Sequence, residues 1–290
     1  MIDRVIKLHY EMIKDRGKYM RITFLGTAAA EGIPSLFCNC KTCEETRKLK
    51  GKNIRKRSSV LINDDLIIDM GPDLYAACAE RNISLDKLKY ALITHCHFDH
   101  FYPENIEIRY KRYQLNTFPN LNILANSSVF YKLTQIGYKD NELHINRVEA
   151  ELYKKYYFGE YIVEPIPANH AHEYGMSLNY IVSSNNKTIL YASDSGLYKE
   201  EWIEKIKSYK FDCVIFDGTN IFSRTSSNHL NIEGIRKMKN MFLEKAIINH
   251  NTKIVCTHFS HFGLPLHYEL EKKLLMDNII TAFDGMKIEI

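Results

Sequence analysis

The segment Thr94-His95-Cys96-His97-Phe98-Asp99-His100 places four ligand-type side chains within six residues, directly after the apolar run Leu88–Ile93. Along extended chain, residues i and i+2 point to one side, so His95 and His97 can share a metal ion. A turn after His97 would then aim Asp99 and His100 at a second ion. Imidazole nitrogen with carboxylate oxygen suits zinc, manganese or iron. Three more candidates follow: His170, past a strand expected to end near Pro167, with His172 as the alternative; Asp194, in Tyr191-Ala-Ser-Asp-Ser-Gly196; and His258, in Thr257-His-Phe-Ser-His261. Each falls in a loop at a strand end, where a rigid scaffold carries its functional groups. A separate cluster, Cys38-Asn-Cys40-Lys-Thr-Cys43, offers three thiolates in one small loop. With a fourth ligand it would be a closed tetrahedral zinc site, structural because no position is left for water.

Such side chains need strand ends to sit on. Arg21–Leu25 alternates and meets Gly26, and Val60–Ile62 and Leu66–Ile68 read as strands paired around Asn63-Asp64-Asp65. Leu88–Ile93 leads into the histidine run. Further on, Tyr161–Ile166, Leu178–Val182, Thr188–Ala192, Cys213–Phe216 and Ile254–Thr257 read as strands. The spacing predicts helices over 72–81, 101–113, 126–138, 198–208, 231–242 and 266–275. In residues 1–18, Ile2, Val5, Ile6, His9, Met12 and Ile13 fall near helical spacing. They predict an amphipathic N-terminal extension for packing or a homodimer contact. Residues 19–290 then form a single domain with the cysteine loop 38–43 near its start.

With 45% hydrophobic residues the chain can bury a sizeable core, and its net charge of +4 does not by itself point to nucleic acid. No apolar run is long enough to span a membrane. Seven cysteines, an odd number, with no export signal point to reduced thiols and a cytoplasmic location. Seven basic residues crowd between Arg47 and Arg57: Arg47, Lys48, Lys50, Lys52, Arg55, Lys56 and Arg57. Without interleaved aromatic residues to stack bases they read as a solvated face rather than a nucleic-acid site.

The order His-x-His-x-Asp-His, later His, Asp, final His resembles the metallo-β-lactamase superfamily over nearly all of residues 20–290. That resemblance implies an α/β fold, a four-layer αββα sandwich. It assigns His95, His97 and His170 to one metal, Asp99, His100 and His258 to the other, and Asp194 to a bridge between them. Asp69, in Ile67-Ile-Asp-Met-Gly71, takes the place of an aspartate that orients a ligand histidine; capping a helix over 72–81 is its alternative role. Phe24-Leu-Gly-Thr27, the cysteine spacing and Thr257-His-x-x-His261 narrow the resemblance to the PhnP-type phosphodiesterases, an accessory family of the carbon–phosphorus lyase pathway. These combine two active-site metals with a Cys3His zinc loop, which makes His261 the fourth ligand beside Cys38, Cys40 and Cys43. The family's active-site histidine maps to His229, in Ser227-Asn-His229, expected to polarise the phosphate or protonate the leaving oxygen and counted with Asp99 as catalytic. The family's substrates are cyclic phosphates, including a ribosyl 1,2-cyclic phosphate and 2′,3′-cyclic nucleotides. The chain departs from the pattern at Ala28-Ala-Ala-Glu31, where glycine-rich sequence is commoner, and in its N-terminal segment.

The implied activity is metal-dependent phosphodiester hydrolysis, with two divalent ions lowering the pKa of a bridging water and a small phosphodiester or cyclic phosphate as substrate. A nuclease of the tRNase Z type shares Phe-Leu-Gly-Thr and the metal ligands. Only 23 residues separate His170 from Asp194, too few for that nuclease's RNA-gripping arm. A thioester or lactone hydrolase is a further rival, and a metal-stabilised nucleic-acid-binding protein is the non-enzymatic one.

Overall fold

The strands of this protein are apolar on both faces because both faces are covered. In the computed structural model, which describes residues 19–115, 117–170, 175–223 and 227–290, strand β1 is Arg21–Gly26, β2 Ser59–Ile62, β3 Leu66–Ile68, β4 Tyr90–Leu92, β5 Leu121–Ala125 and β6 Ile145–Glu149. With β14, Lys287–Glu289, they form one seven-stranded sheet in the order β14-β1-β2-β3-β4-β5-β6. The second sheet has β7 Tyr156–Phe158, β8 Tyr161–Pro167, β9 Leu178–Ser184, β10 Lys187–Ala192, β11 Cys213–Asp217, β12 Lys253–Thr257 and β13 Ile280–Thr281, in the order β13-β12-β11-β10-β9-β8-β7.

Alternation along each strand deals residues to different cores. Val60, Ile62, Leu66 and Ile68 meet Ile189, Tyr191, Cys213 and Ile215 in the layer between the sheets. Leu61 and Ile67 face outward beneath helices α2, Leu74–Glu80, and α4, Ser127–Thr134. Leu190, Val214 and Phe216 face outward beneath α6, Glu200–Ile206, α7, Ile232–Glu244, and α8, His267–Leu275. Helix, sheet, sheet, helix is the expected four-layer sandwich. The remaining helices are α1, Lys41–Leu49, after the cysteine loop, and the short α3, Glu104–Glu107, and α5, Asp140–Leu143.

Asn126 and Asn231 cap α4 and α7, their side-chain oxygens accepting from Val129 N and Gly234 N. The helix expected over 101–113 is instead α3 and a separate 3-10 turn at Lys111–Tyr113. Between them Arg109 donates from Nε to the Leu143 carbonyl and stacks on Phe118. The strands β5 and β6, and the short β7, β13 and β14, were not expected. Parallel pairing of β3-β4-β5-β6 and of β10-β11-β12-β13 puts the carboxyl ends of these strands along one rim, where ligands gather in open α/β sheets. The helix expected in residues 1–18, and His172, lie outside the described residues.

Candidate metal centre

Every loop carrying a candidate ligand leaves a strand end on that rim. Asp69 follows β3, Thr94–His100 follow β4, His170 follows β8, Asp194 follows β10 and His258 follows β12. Asp69, Asp194 and His258 hold left-handed backbone, at φ 63°, 52° and 61°. Such conformations cost energy in non-glycine residues and cluster at functional sites. Gly71 and Gly196 let loops close in: a Cβ on either would meet a backbone oxygen, of Asp99 at 2.0 Å and of Ser227 at 2.1 Å.

The side chains converge in two groups. His95 Nε2 lies 2.8 Å from His97 Nδ1, which is 3.3 Å from His170 Nε2. In the second group His100 Nε2 lies 3.2 Å from both His258 Nε2 and Asp99 Oδ2. Asp194 Oδ2 stands between them. It is 3.3 and 3.2 Å from Nε2 of His95 and His170, and 3.1 and 3.9 Å from Nε2 of His100 and His258. One carboxylate oxygen thus faces imidazoles of both groups, the position a bridging ligand requires.

The surrounding hydrogen bonds fix which nitrogen of each ring is a lone pair. Asp69 accepts from Thr94 N at 2.8 Å and from Thr94 Oγ1, and His100 Nδ1 donates to its Oδ2 at 2.7 Å. With its proton given to Asp69, Thr94 Oγ1 accepts from His95 Nδ1 at 3.0 Å. On the other side Thr219 Oγ1 donates to Asp217 Oδ2 at 2.8 Å and accepts from His258 Nδ1 at 2.7 Å. His95, His100 and His258 therefore keep Nδ1 occupied and turn Nε2 inward. Burial, the largest influence, pushes His95 and His170 below the ordinary histidine pKa, leaving them neutral, the ligating form. Burial would raise the Asp194 carboxyl, but His258, His100 and His170 hold it well below the carboxylate range. Imidazole nitrogens and carboxylate oxygens crowded to within 4.8 Å of one another in each group are the donor set and spacing that divalent metal ions take. Asp69 does not cap α2, since its carboxylate is spent on Thr94 and His100.

His229 packs beside this centre, its Nδ1 3.3 Å from Asp217 Oδ2 and 3.2 Å from Asp194 Oδ1. Burial would lower its pKa, but the bond to Asp217 and the charges of Asp217 and Asp194 outweigh that and lift it to about 9. Asp217 could be mistaken for a ligand, since it also lies within ligand distance of Asp194, His229 and His258. Its oxygens are already taken by Thr219 N, Thr219 Oγ1 and Leu230 N, so it orients His229 and His258. Asp217 and Thr219 were missed as site residues, although both stand in Phe216-Asp-Gly-Thr219 at the end of β11.

The cysteine loop closes on His261. Cys38 Sγ and Cys40 Sγ lie 3.6 and 3.4 Å from His261 Nδ1, and the ligand atoms of these three residues and Cys43 are all within 4.8 Å of one another. Zinc–sulfur and zinc–nitrogen bonds at tetrahedral angles put S and N about 3.6 Å apart, so the cluster fits zinc. Cys40 stands at the N-cap position of α1 and Cys43 sits one turn on, which brings both thiols to the same side. Burial opposes ionisation of Cys40, but bonds from the Cys43 backbone, His261 and Cys38 lower its thiol to about 6. The loop is joined to the metal rim by chain pairing: Phe259 N donates to Thr27 O at 2.9 Å and Ala29 N to Phe259 O at 3.0 Å.

The basic run 47–57 is largely engaged within the fold. Arg47 Nη2 donates to Ser35 O, Arg55 is buried against Thr27, and Lys56 and Arg57 pair with Glu80 and Asp73. No described helix is long and apolar enough to cross a membrane.

Comparisons with known proteins agree with this geometry. A diphosphatase of the PhnP family superposes with a TM-score of 0.74 at 20% identity, covering 93% of this chain and 98% of that one. Zinc-bound PqqB from Methylobacterium extorquens gives 0.72 at 15%, covering 93% and 100%. The short form of human tRNase Z gives 0.62 at 17%, covering 92% and 98%. At these identities the likeness is one of fold. A curated Porphyromonas gingivalis protein named octanoyltransferase is 37% identical over 86 residues, 28% of this chain, and the chain spans 16% of that protein's length. Residues 65–250 match the family model for the beta-lactamase superfamily domain. With its sandwich of two sheets and its paired ligand groups on one rim, the chain belongs to the metallo-β-lactamase superfamily of metal-binding hydrolases.

Proposed function

We propose that this hydrolase is a phosphodiesterase of the PhnP type, acting on a small phosphodiester or cyclic phosphate. The observation that carries the reading is Asp194 Oδ2 between two imidazole groups, with His229 alongside. On this reading residues 19–290 act as one domain, His95, His97 and His170 hold one divalent ion, Asp99, His100 and His258 hold another, and Asp194 joins them. Two such ions, zinc, manganese or iron, would acidify water and draw charge from phosphoryl oxygens. Cys38, Cys40, Cys43 and His261 hold a third, structural zinc.

The chain's own residues do the rest. Asp69, through Thr94 and His100, and Asp217, through Thr219, keep the ligand rings in their ligating tautomers. Asp217 accepts from Nδ1 of His229, and its charge with that of Asp194 keeps the ring protonated, so that Nε2 can give a proton to the departing oxygen. General-acid help of this kind is worth about 10²–10⁴-fold.

Hydrolysis of an acyl thioester is the second reading, favoured by the local likeness to the octanoyltransferase. Turnover of 2′,3′-cyclic nucleotides, bis(4-nitrophenyl) phosphate, acyl thioesters and lactones, each before and after chelation and metal return, separates the two. Cyclic-phosphate hydrolysis restored by metal is the expected result; thioester turnover alone would overturn the proposal.

A further inference from the structure

Beside the loops that carry His170 and Asp194 lies a cleft of about 410 Å³ that the chemistry above does not use. Small-molecule sites span about 300–1,000 Å³ and are mostly apolar with a few placed polar groups, and this cleft has that character. Its walls are Leu152, Tyr153, Pro167, Ala168, Met176 and Trp202. Lys199, Lys205 and Glu201 also line it, giving it one net positive charge. Lys199 Nζ lies 5.2 Å from the centre of the Trp202 ring, and the Trp202 and Tyr198 rings meet edge to face.

Two features go beyond a casual gap between elements. Tyr153 holds φ +63°, an outlier for a bulky aromatic residue, and its amide is fixed to Pro165 O at 2.8 Å. Strained residues of this kind recur at ligand clamps. The cleft is also built into the loops of the metal centre. Pro167 and Ala168 precede His170, and Asn169 between them donates to Leu197 O at 3.0 Å and Ser227 O at 2.8 Å. Gly196 N returns a bond to Asn169 O at 2.9 Å. The 193–199 segment that leads to Lys199 is thereby tied to the loop that carries His170.

We infer that this cleft binds an amphipathic organic anion, an aromatic or aliphatic group bearing a phosphate or carboxylate. The apolar part would pack against Tyr153, Met176 and Trp202, and the anion would meet Lys199 and Lys205. The inference does not rest on the phosphodiesterase reading, because binding there requires no turnover.

Trp202 is the sole tryptophan of the chain, so its emission reports on this cleft with no second indole to mask it. The metal-loaded protein is titrated with phenylphosphonate, which is not a hydrolysable ester, and in parallel with inorganic phosphate and with benzyl alcohol. Saturable change with phenylphosphonate, at least about ten-fold tighter than with either fragment, is expected because each fragment lacks the apolar or the ionic half of the contact. Met176→Glu should abolish the response while circular dichroism reports an unchanged fold, and Leu152→Glu should do the same, since each puts a repelling charge in the apolar wall. Asp194→Asn, which alters the metal centre, should keep it. Absence of a saturable change would overturn the assignment. So would an equal response to inorganic phosphate, or a response lost in Asp194→Asn but kept in both glutamate variants, which would put the anion at the metals.

Discussion

Thr219→Val offers a sharp perturbation because one hydroxyl serves two masters. Its oxygen accepts from His258 Nδ1 at 2.7 Å and its proton goes to Asp217 Oδ2 at 2.8 Å. Valine keeps the shape and removes both bonds. His258 is buried, and its next acceptor, Asp217 Oδ2, is 3.6 Å away, too far for a good hydrogen bond. Leaving a buried donor unsatisfied costs about 1–3 kcal/mol, a fall in Tm of a few degrees in a chain of this size. The larger effect is on the ion held by Asp99, His100 and His258, since losing the group that orients a ligand histidine weakens metal binding about 10–100-fold. The ion held by His95, His97 and His170 should be unaffected, because Thr94 and not Thr219 sets that side. Chelator competition followed by metal analysis reads the two affinities separately, and Thr219→Ser should restore the weaker one. Two ions bound by the valine variant as tightly as by wild type would refute the tautomer argument.

Asp194→Asn should cost most of the turnover with the fold intact, since it removes the charge shared by both imidazole groups; near wild-type phosphodiester hydrolysis with both ions bound would contradict this. Cys40→Ser should lose one tightly held zinc and lower thermal stability, and because the Phe259–Thr27–Ala29 pairing links the two regions, it should also weaken metal binding at His258; unchanged zinc content by elemental analysis would count against the structural site. His267 accepts from Arg55 Nη2 at 3.0 Å, and burial first, then Arg55 and Lys52, depress its pKa to about 4. An unfolded histidine binds its proton near pH 6.5, so this contribution to stability is present above pH 6.5 and lost as pH falls towards 4. Denaturant titrations of His267→Gln should show a shallower loss over that window, and an identical slope would refute it.

The parts of this site legible in the sequence are those whose chemistry is local. His95, His97, Asp99 and His100 are crowded within six residues after an apolar strand, and the Cys38–Cys43 spacing names its own metal chemistry. His170, Asp194 and His258 were visible because each follows a readable strand. Asp217 and Thr219 were not. An aspartate and a threonine after a strand look like ordinary turn residues, and only the folded chain brings them to His229 and His258 across sequence separations that no periodicity reports. In the fold, the double-sided strands β2, β3, β10 and β11 stand out as apolar runs. Asn122 within β5 and the polar β6 at the sheet edge break that pattern, so both strands escaped. The 101–113 segment misled for a different reason: its composition suits a helix, but Pro103 sits at the N-cap and α3 begins only at Glu104.

Anomalous diffraction from crystals of the zinc-loaded protein, collected at the zinc absorption edge, tests the metal assignment most directly. Two peaks on either side of Asp194 Oδ2, one against His95, His97 and His170 and one against Asp99, His100 and His258, with a third among Cys38, Cys40, Cys43 and His261, are the predicted result. A fully loaded crystal with no peak beside Asp194, or with density on one side only, would contradict the two-metal centre.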